Sequence, residues 1–211
     1  MKIIFTLFLT LLLGACSSTQ YESAELIKHI DTTKLNQVKI NIKSGGVILA
    51  SQANERLFKL HHNADEVHEM FENIAVRFGF QVTSEDQAQY RLDVLDVKPD
   101  GGECVKGLAS FNKGFTYTMS VMTLGVLPAT NGYCIQVNAE LFYRQEVYGE
   151  LSEEMTPLSL FNTNKGRIDV LAGANEVDNY QRIVTIEDES RALETSIAYL
   201  FEEMIQQGAF E

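Results

Sequence analysis

Residues 63–79 constrain the fold more tightly than any other stretch of this 211-residue chain. Ala64, Val67, Met70, Phe71, Ile74, Ala75 and Phe78 recur at the 3.6-residue spacing that gathers apolar side chains on one helical face. Asn63 stands where an N-cap accepts the orphan N–H groups of a first turn, and Glu66 completes a capping box three residues later. Asp65 and Glu66 suit the positive end of the helix dipole, and Arg77 suits the negative end. Gly79 occupies the position where a left-handed C′ residue closes a helix. A helix over 64–78, with one face committed to a core, therefore anchors the reading of the rest.

Strand signals surround it. Val38, Ile40 and Ile42 alternate with Lys39, Asn41 and Lys43, the period of a half-buried strand. Gly45-Gly46 then offers a turn into Val47-Ile48-Leu49, which predicts a hairpin. Phe80–Thr83 reads as a short strand, Ser84–Gln89 as a polar loop, and Tyr90–Val97 as a strand ended by Pro99 and Gly101-Gly102. Over 133–147, Ile135, Val137, Ala139, Leu141 and Tyr143 fall on one face, with Gln136, Asn138, Glu140 and Arg144 on the other. Residues 161–182 show no clear period and read as loop with some extended structure. A second helix over 187–207 carries the stripe Leu193, Ile197, Leu200, Phe201 and Met204 and ends at Gly208. Strands and helices mix without the regular alternation of a doubly wound sheet. The expectation is an α+β single-domain sandwich over residues 22–211, with an antiparallel or mixed sheet and two main helices packed on one face. No Pro/Gly/Ser-rich linker or charge block divides it.

The beginning of the chain addresses it. Lys2 gives a short positive segment, and Ile3–Leu13 an apolar run of signal-peptide length, too short for the roughly 20 residues of a spanning helix. Leu13-Gly14-Ala15-Cys16 resembles the lipobox of bacterial lipoproteins. The resemblance implies that residues 1–15 are a signal peptide and that Cys16 is lipidated as the first mature residue. Residues 16–21 are then the lipidated cysteine and a short tether. Ser17 looks like the outer-membrane sorting state of Gram-negative lipoproteins, which implies a periplasm-facing anchor in the outer membrane. Ser17–Gln20 extend only about 14 Å at ~3.5 Å per residue, so the domain works at the membrane surface. Loss of Lys2 with the leader takes the formal net charge from −12 to −13. Such an acidic chain has no electrostatic case for nucleic acid and a weak one for anionic head groups, so the acyl anchor itself must hold the membrane.

With Cys16 lipidated, Cys104 and Cys134 remain. Two thiols in an oxidising compartment most simply form one structural disulfide, closing a loop of about 30 residues worth roughly 3–4 kcal/mol. The alternative is a redox or metal pair, although the chain has no C-x-x-C. A further resemblance covers about 35 residues. The helix ending in Gly79-Phe80-Gln81-Val82, the polar loop and Ala88-Gln89-Tyr90 opening a strand are similar to a unit of small envelope lipoproteins. These are the penicillin-binding-protein activator and curli-secretion lipoproteins and TolB amino-terminal-like domains. It implies an envelope adaptor and brings no catalytic residue.

Three places carry candidate chemistry. Segment 115–129 is the most apolar of the mature chain. With Asn131-Gly132 as a turn it predicts a hairpin, strand 115–127 against strand 133–147. Met119, Val121, Met122, Leu124, Val126 and Leu127 then belong either to the core or to a sticky edge that docks a partner or dips into the bilayer. His61, His62 and His68 gather near Asp65, Glu66 and Glu69 at a helix start. They lack the H-E-x-x-H spacing, and a capping or solvated role is the simpler account. Ser110-Phe111-Asn112-Lys113 spells S-x-x-K without its companion motifs. No nucleophile elbow, Walker loop or dinucleotide fingerprint occurs. The reading is a non-enzymatic, lipid-anchored adaptor or accessory subunit of an envelope complex, with an envelope protein as partner and no cofactor. The alternative is a periplasmic lipoprotein that binds a small ligand, a lipid or a metal.

Overall fold

The computed structural model describes residues 32–44, 50–53, 56–100, 129–172 and 180–211, with Thr118 and Met122 between them. A 3₁₀ turn, Thr32–Gln37, leads into β1, Lys39–Lys43. Two short strands, β2 (Ala50–Ala53) and β3 (Arg56–Lys59), pair with each other. Then come α1 (Ala64–Arg77), β4 (Gln81–Val82) and β5 (Tyr90–Asp100). The second half contributes β6 (Ala129–Val147), β7 (Glu150–Ala172), a short α2 (Tyr180–Ile183) and α3 (Ile186–Gln206).

Five strands form one mixed sheet in the order β4-β1-β5-β6-β7. β1 runs parallel to both of its neighbours, while β5, β6 and β7 are antiparallel in turn. α1 packs beside β1 and β4, α3 lies across β6 and β7, and the two helices touch. The protein is thus a single α+β domain with its two main helices on one face of a mixed sheet. The buried row Tyr90, Leu92, Val94, Val97 on β5 and Ile135, Val137, Ala139, Leu141 on β6 meets Phe71 and Ile74 of α1 and Leu193, Ile197, Leu200 and Phe201 of α3 in one core. Each such side chain contributes roughly 1.5–3 kcal/mol by leaving water.

α1 forms as its sequence dictates. The Asn63 side chain accepts the N–H groups of Asp65 and Glu66, both at 3.0 Å, and Glu66 accepts the Asn63 N–H at 2.9 Å. Gly79 follows with φ +96°, the left-handed geometry a C′ position asks for. Beyond it, Phe78 and Phe80 pack on Phe201 at ring-centroid distances of 5.8 and 5.5 Å, and Phe80 meets Phe210 at 4.8 Å. That aromatic cluster fastens the chain after α3 to β4.

Three expectations are corrected. The Asn131-Gly132 pair is not a turn: both residues lie inside β6, opposite Val170 and Asp169. Thr118 and Met122 are helical, so 115–127 is not one continuous strand, and Met122 is 75% exposed. The span 161–182 is not loop through its first half, because β7 runs to Ala172. β1 pairs in parallel with β4 and β5, and the turn and second strand of the hairpin expected through Gly45-Gly46, residues 45–49, are not among the described residues. β5 also passes through Pro99, which sits opposite Ile135, and ends at Asp100.

The approach of α3 to β7 is unusually close at Gly166. A Cβ placed there would lie 1.8 Å from the Ala192 carbonyl oxygen and 2.7 Å from Ser196 Oγ. The gap is used: the Gly166 N–H donates to Ser196 Oγ at 2.7 Å, and that hydroxyl donates to the Ile135 carbonyl at 2.7 Å. We expect Gly166→Ala to force α3 off the sheet, costing about 3 kcal/mol and lowering Tm by on the order of 10 °C. A thermal melt reads this, and an unchanged Tm would show that the contact has slack.

Candidate functional site

Among the described residues the most densely bonded polar cluster is centred on Glu189, in the first turns of α3. Thr185 caps that helix, its side chain accepting the Asp188 N–H. Glu189 then points inward, in phase with Leu193, Ser196, Ile197 and Leu200, and is fully buried. One carboxylate oxygen accepts the backbone N–H groups of His61 at 2.8 Å and His62 at 3.1 Å and lies 2.7 Å from His62 Nδ1. The other accepts the Tyr180 hydroxyl at 2.7 Å. A buried carboxylate is tolerable only when so satisfied. Burial, then the charge and hydrogen bond of Glu189, drive the Tyr180 hydroxyl pKa far above its usual 10.0. Glu189 thereby fastens three segments together: the connector before α1, α2 and α3.

On its far side, His62 Nε2 lies 3.0 Å from Ser190 Oγ. Ser190, His62 and Glu189 therefore follow one another as nucleophile, base and orienting acid do in a hydrolytic triad. Two features argue for a clamp instead. Ser190 Oγ donates to the Ile186 carbonyl one turn back at 2.8 Å, a bond internal to the helix. The nearby N–H groups are also engaged, those of His61 and His62 with the Glu189 carboxylate and that of Glu189 with Thr185 O at 3.0 Å.

The three histidines do not converge as ligands. His61 Nε2 lies 3.0 Å from the Val184 carbonyl, and its ring stacks on Tyr180. His62 belongs to Glu189. His68 Nδ1 lies 2.9 Å from Ser44 Oγ, and its Nε2 lies 3.3 Å from Glu72. Among the described residues no group of three or more His, Cys, Asp or Glu is placed to hold a metal ion.

Cys134 is buried and disulfide-bonded. Cys104 and Cys16 lie outside the described residues, as do Ser110, Met119, Val121, Leu124, Val126 and Leu127 of the apolar segment. Met122 alone of that set is described, helical and exposed. No helix among the described residues is long and apolar enough to cross a membrane.

Sequence reasoning passed over two structures. The first is the β6–β7 ribbon. β5 stops pairing with β6 at Tyr90–Tyr143, but β6 and β7 continue together to Val147–Glu150. Not one residue from Gln145 to Thr156 is buried. Tyr148 and Gly149 turn the chain, with φ +56° and +84°. Positive φ at both central residues is what a type I′ turn demands, and glycine meets it freely where tyrosine does not. Tyr148 is nonetheless fully exposed at 104%. The legible signal was a Tyr-Gly pair between two extended runs.

The second is a cleft of about 390 Å³ at the base of that ribbon, lined by Tyr90, Tyr143, Leu158, Phe161, Gln207 and Glu211 among others. Its floor is aromatic. Tyr90 and Tyr143 lie 5.3 Å apart between centroids, and Tyr90 meets Phe210 edge-on at 5.1 Å. Burial and the neighbouring Tyr143 raise the Tyr90 hydroxyl pKa. Glu211 and Gln207 supply a polar wall.

No known protein family and no curated protein matches the chain. Among solved structures it is similar to the hypothetical protein CT253 from Chlamydia trachomatis, at 8% identity and a TM-score of 0.36. The match covers 81% of this chain and 94% of that one. A likeness of this size carries no functional argument.

Tyr180 generates a pH prediction. Its hydroxyl ionises near 10.0 when unfolded and at higher pH when folded. The stability it contributes is whole below pH 10 and is lost progressively above it, as the unfolded chain sheds a proton that the folded one keeps. Tyr180→Phe should lower Tm at pH 7, by loss of the bond to Glu189, and flatten the further fall between pH 9.5 and 11. An alkaline slope unchanged by the substitution would refute the assignment.

Proposed function

We propose that this protein is a lipid-anchored component of the cell envelope, held through Cys16. In this reading it acts as a non-enzymatic adaptor or accessory subunit by docking another protein. Tyr148 is the observation that carries the docking part. An L-residue at left-handed φ costs on the order of 1–2 kcal/mol, and a tyrosine with no internal contact recovers none of it. Strain kept where the fold gains nothing from it marks a position held for what it touches outside the fold. Aromatic side chains are the commonest anchors of protein interfaces. The ribbon itself supports the same reading, since among the described residues its two strands have no third strand or helix beneath them, and such a pair is only marginally stable alone. The lipobox-like Leu13-Gly14-Ala15-Cys16 supports the anchor, and Ser17 the periplasmic face of the outer membrane.

Two outcomes are expected. Cys16→Ala should move the protein from the membrane pellet to the soluble envelope fraction, and retention in the pellet would remove the acyl anchor from the account. Tyr148→Asn should raise Tm by about 2–4 °C, because asparagine accepts left-handed φ. The same variant should no longer recover the fixed-ratio partner that in-cell crosslinking of the wild type recovers. Recovery of that partner unchanged would overturn the docking role.

A further inference from the structure

The ribbon and the cleft form one continuous strip along β7, and the strip has a sign. From Gln145 to Asn164 the chain has four carboxylates, Glu146, Glu150, Glu153 and Glu154, and no Lys or Arg. All four are exposed. Val147, Leu158 and Leu160 are exposed apolar side chains on the same pair of strands. At the other end of the strip, Leu158 and Glu211 line the cleft together with Tyr90 and Tyr143.

Resting on the adaptor reading, we infer that this strip receives an extended basic segment of the partner protein, with a Lys or Arg side chain seated in the cleft. Aromatic faces with a carboxylate beside them make a cation site of the kind guanidinium and ammonium groups fill. The molecule uses the aromatic half of that chemistry within itself, where the Arg91 guanidinium sits 4.6 Å from the Phe142 ring centroid. Eight residues of β7 separate Leu158 from Glu150. β7 is bulged twice over this stretch, so that Glu150–Pro157 faces only Val147–Phe142 of β6, and the distance is about 17 Å at ~3.3 Å per residue, the reach of an extended segment of roughly five or six residues. Further cations along that segment meet Glu154, Glu153 and Glu150, and its far end meets Tyr148. Pro157 removes a backbone donor midway along β7, so side chains rather than a continuous β-ladder read the partner.

Charge decides among occupants. A second copy of this chain would bring four carboxylates against four. An anionic lipid surface would be repelled by the same groups. A basic polypeptide is drawn in by both ends of the strip, at a rate and strength that fall with salt.

The test places a photocrosslinking amino acid at Leu158, and separately at Tyr148, in the full-length chain in cells. A control probe sits at Ile186, exposed at the opposite end of α3 and about 30 Å along the helix from Gln207. The adduct peptides are then mapped by mass spectrometry. Both strip positions should capture one protein through a peptide of net positive charge, and Ile186 should not. Substituting Glu150→Gln, Glu153→Gln, Glu154→Gln and Glu211→Gln together should cut the yield about tenfold or more without lowering Tm. Glu211→Gln alone should cut it at Leu158. All four side chains are exposed, so folding is not at stake. A neutral or acidic adduct peptide, a lipid or self adduct, or a yield indifferent to the Gln variants would overturn the inference. A fixed-ratio partner captured through such a neutral segment would leave the adaptor reading standing. No protein adduct at any position, with no partner in the crosslinked purification, would overturn both.

Discussion

The position of α3 on the sheet depends on one hydroxyl. Between Ile135 and Val137 the β6–β7 register shifts, with Gly166 opposite the first and Thr163 opposite the second. A bulge of this kind leaves backbone groups without their ladder partners. Ser196 Oγ fills that gap, accepting from Gly166 and donating to Ile135. The absence of a Cβ at Gly166 lets the helix come close enough for it to do so. The helix is thereby fixed in depth and in register at once. Its N-terminal turns then bring Glu189 against His61 and His62, and its C-terminal end brings Phe210 against Phe80 and Tyr90. The cleft beside Tyr90 and Tyr143 exists because that end is pinned there.

Glu189 works at the other end of α3 by a different economy. Burying a carboxylate is expensive, and breaking a buried pair costs about 3–5 kcal/mol, so such a group is tolerated only where several donors converge on it. Those donors come from segments far apart in sequence, so the carboxylate acts as a topological fastener: it is fully bonded only when the connector before α1, α2 and α3 are all in place. The resemblance of Ser190, His62 and Glu189 to a triad is a by-product of that fastening. Glu189 and Ser190, adjacent on one helix, meet the two nitrogens of the same imidazole, Glu189 at Nδ1 and Ser190 at Nε2, so the ring is held at both ends by the first turns of α3.

Much of this was legible in the residues. α1 announced itself through Asn63, Glu66 and Gly79 because capping is local chemistry, and β1 and the first half of β5 through a period of two, which in β5 changes phase at the bulge after Val94. β7 was hidden for a physical reason. Its inward residues are Phe161, Thr163, Gly166, Ile168 and Val170. The bulge inserts one residue between the second and third of these, a glycine takes a core position, and a threonine is buried beside it. Each departure erases the alternation that identifies a strand. Asn131-Gly132 misled in the opposite direction, since turn-forming residues inside a strand are held by Val170 and Asp169 opposite, a contact no local pattern contains. Glu189 was hidden because a carboxylate in a first helical turn is expected for the dipole alone. Only its phase with Leu193 and Ile197 shows that it faces inward.

The same contrast separates the two halves of β7, of which the first carries the proposed docking strip. The half of β7 from Phe161 onward is committed to the helices, and its sequence is shaped by packing. In the half before Pro157 no residue is buried, so its composition is free of core demands. What occupies it is therefore informative in a way that core residues are not: four acids, no base, and a tyrosine in a backbone conformation it resists. A ribbon that served only to close the chain between β6 and β7 would turn at the end of β5 with asparagine and glycine. This one runs onward past Tyr143 and holds an aromatic ring at its tip in left-handed geometry, the extra length and strain on which the docking proposal rests.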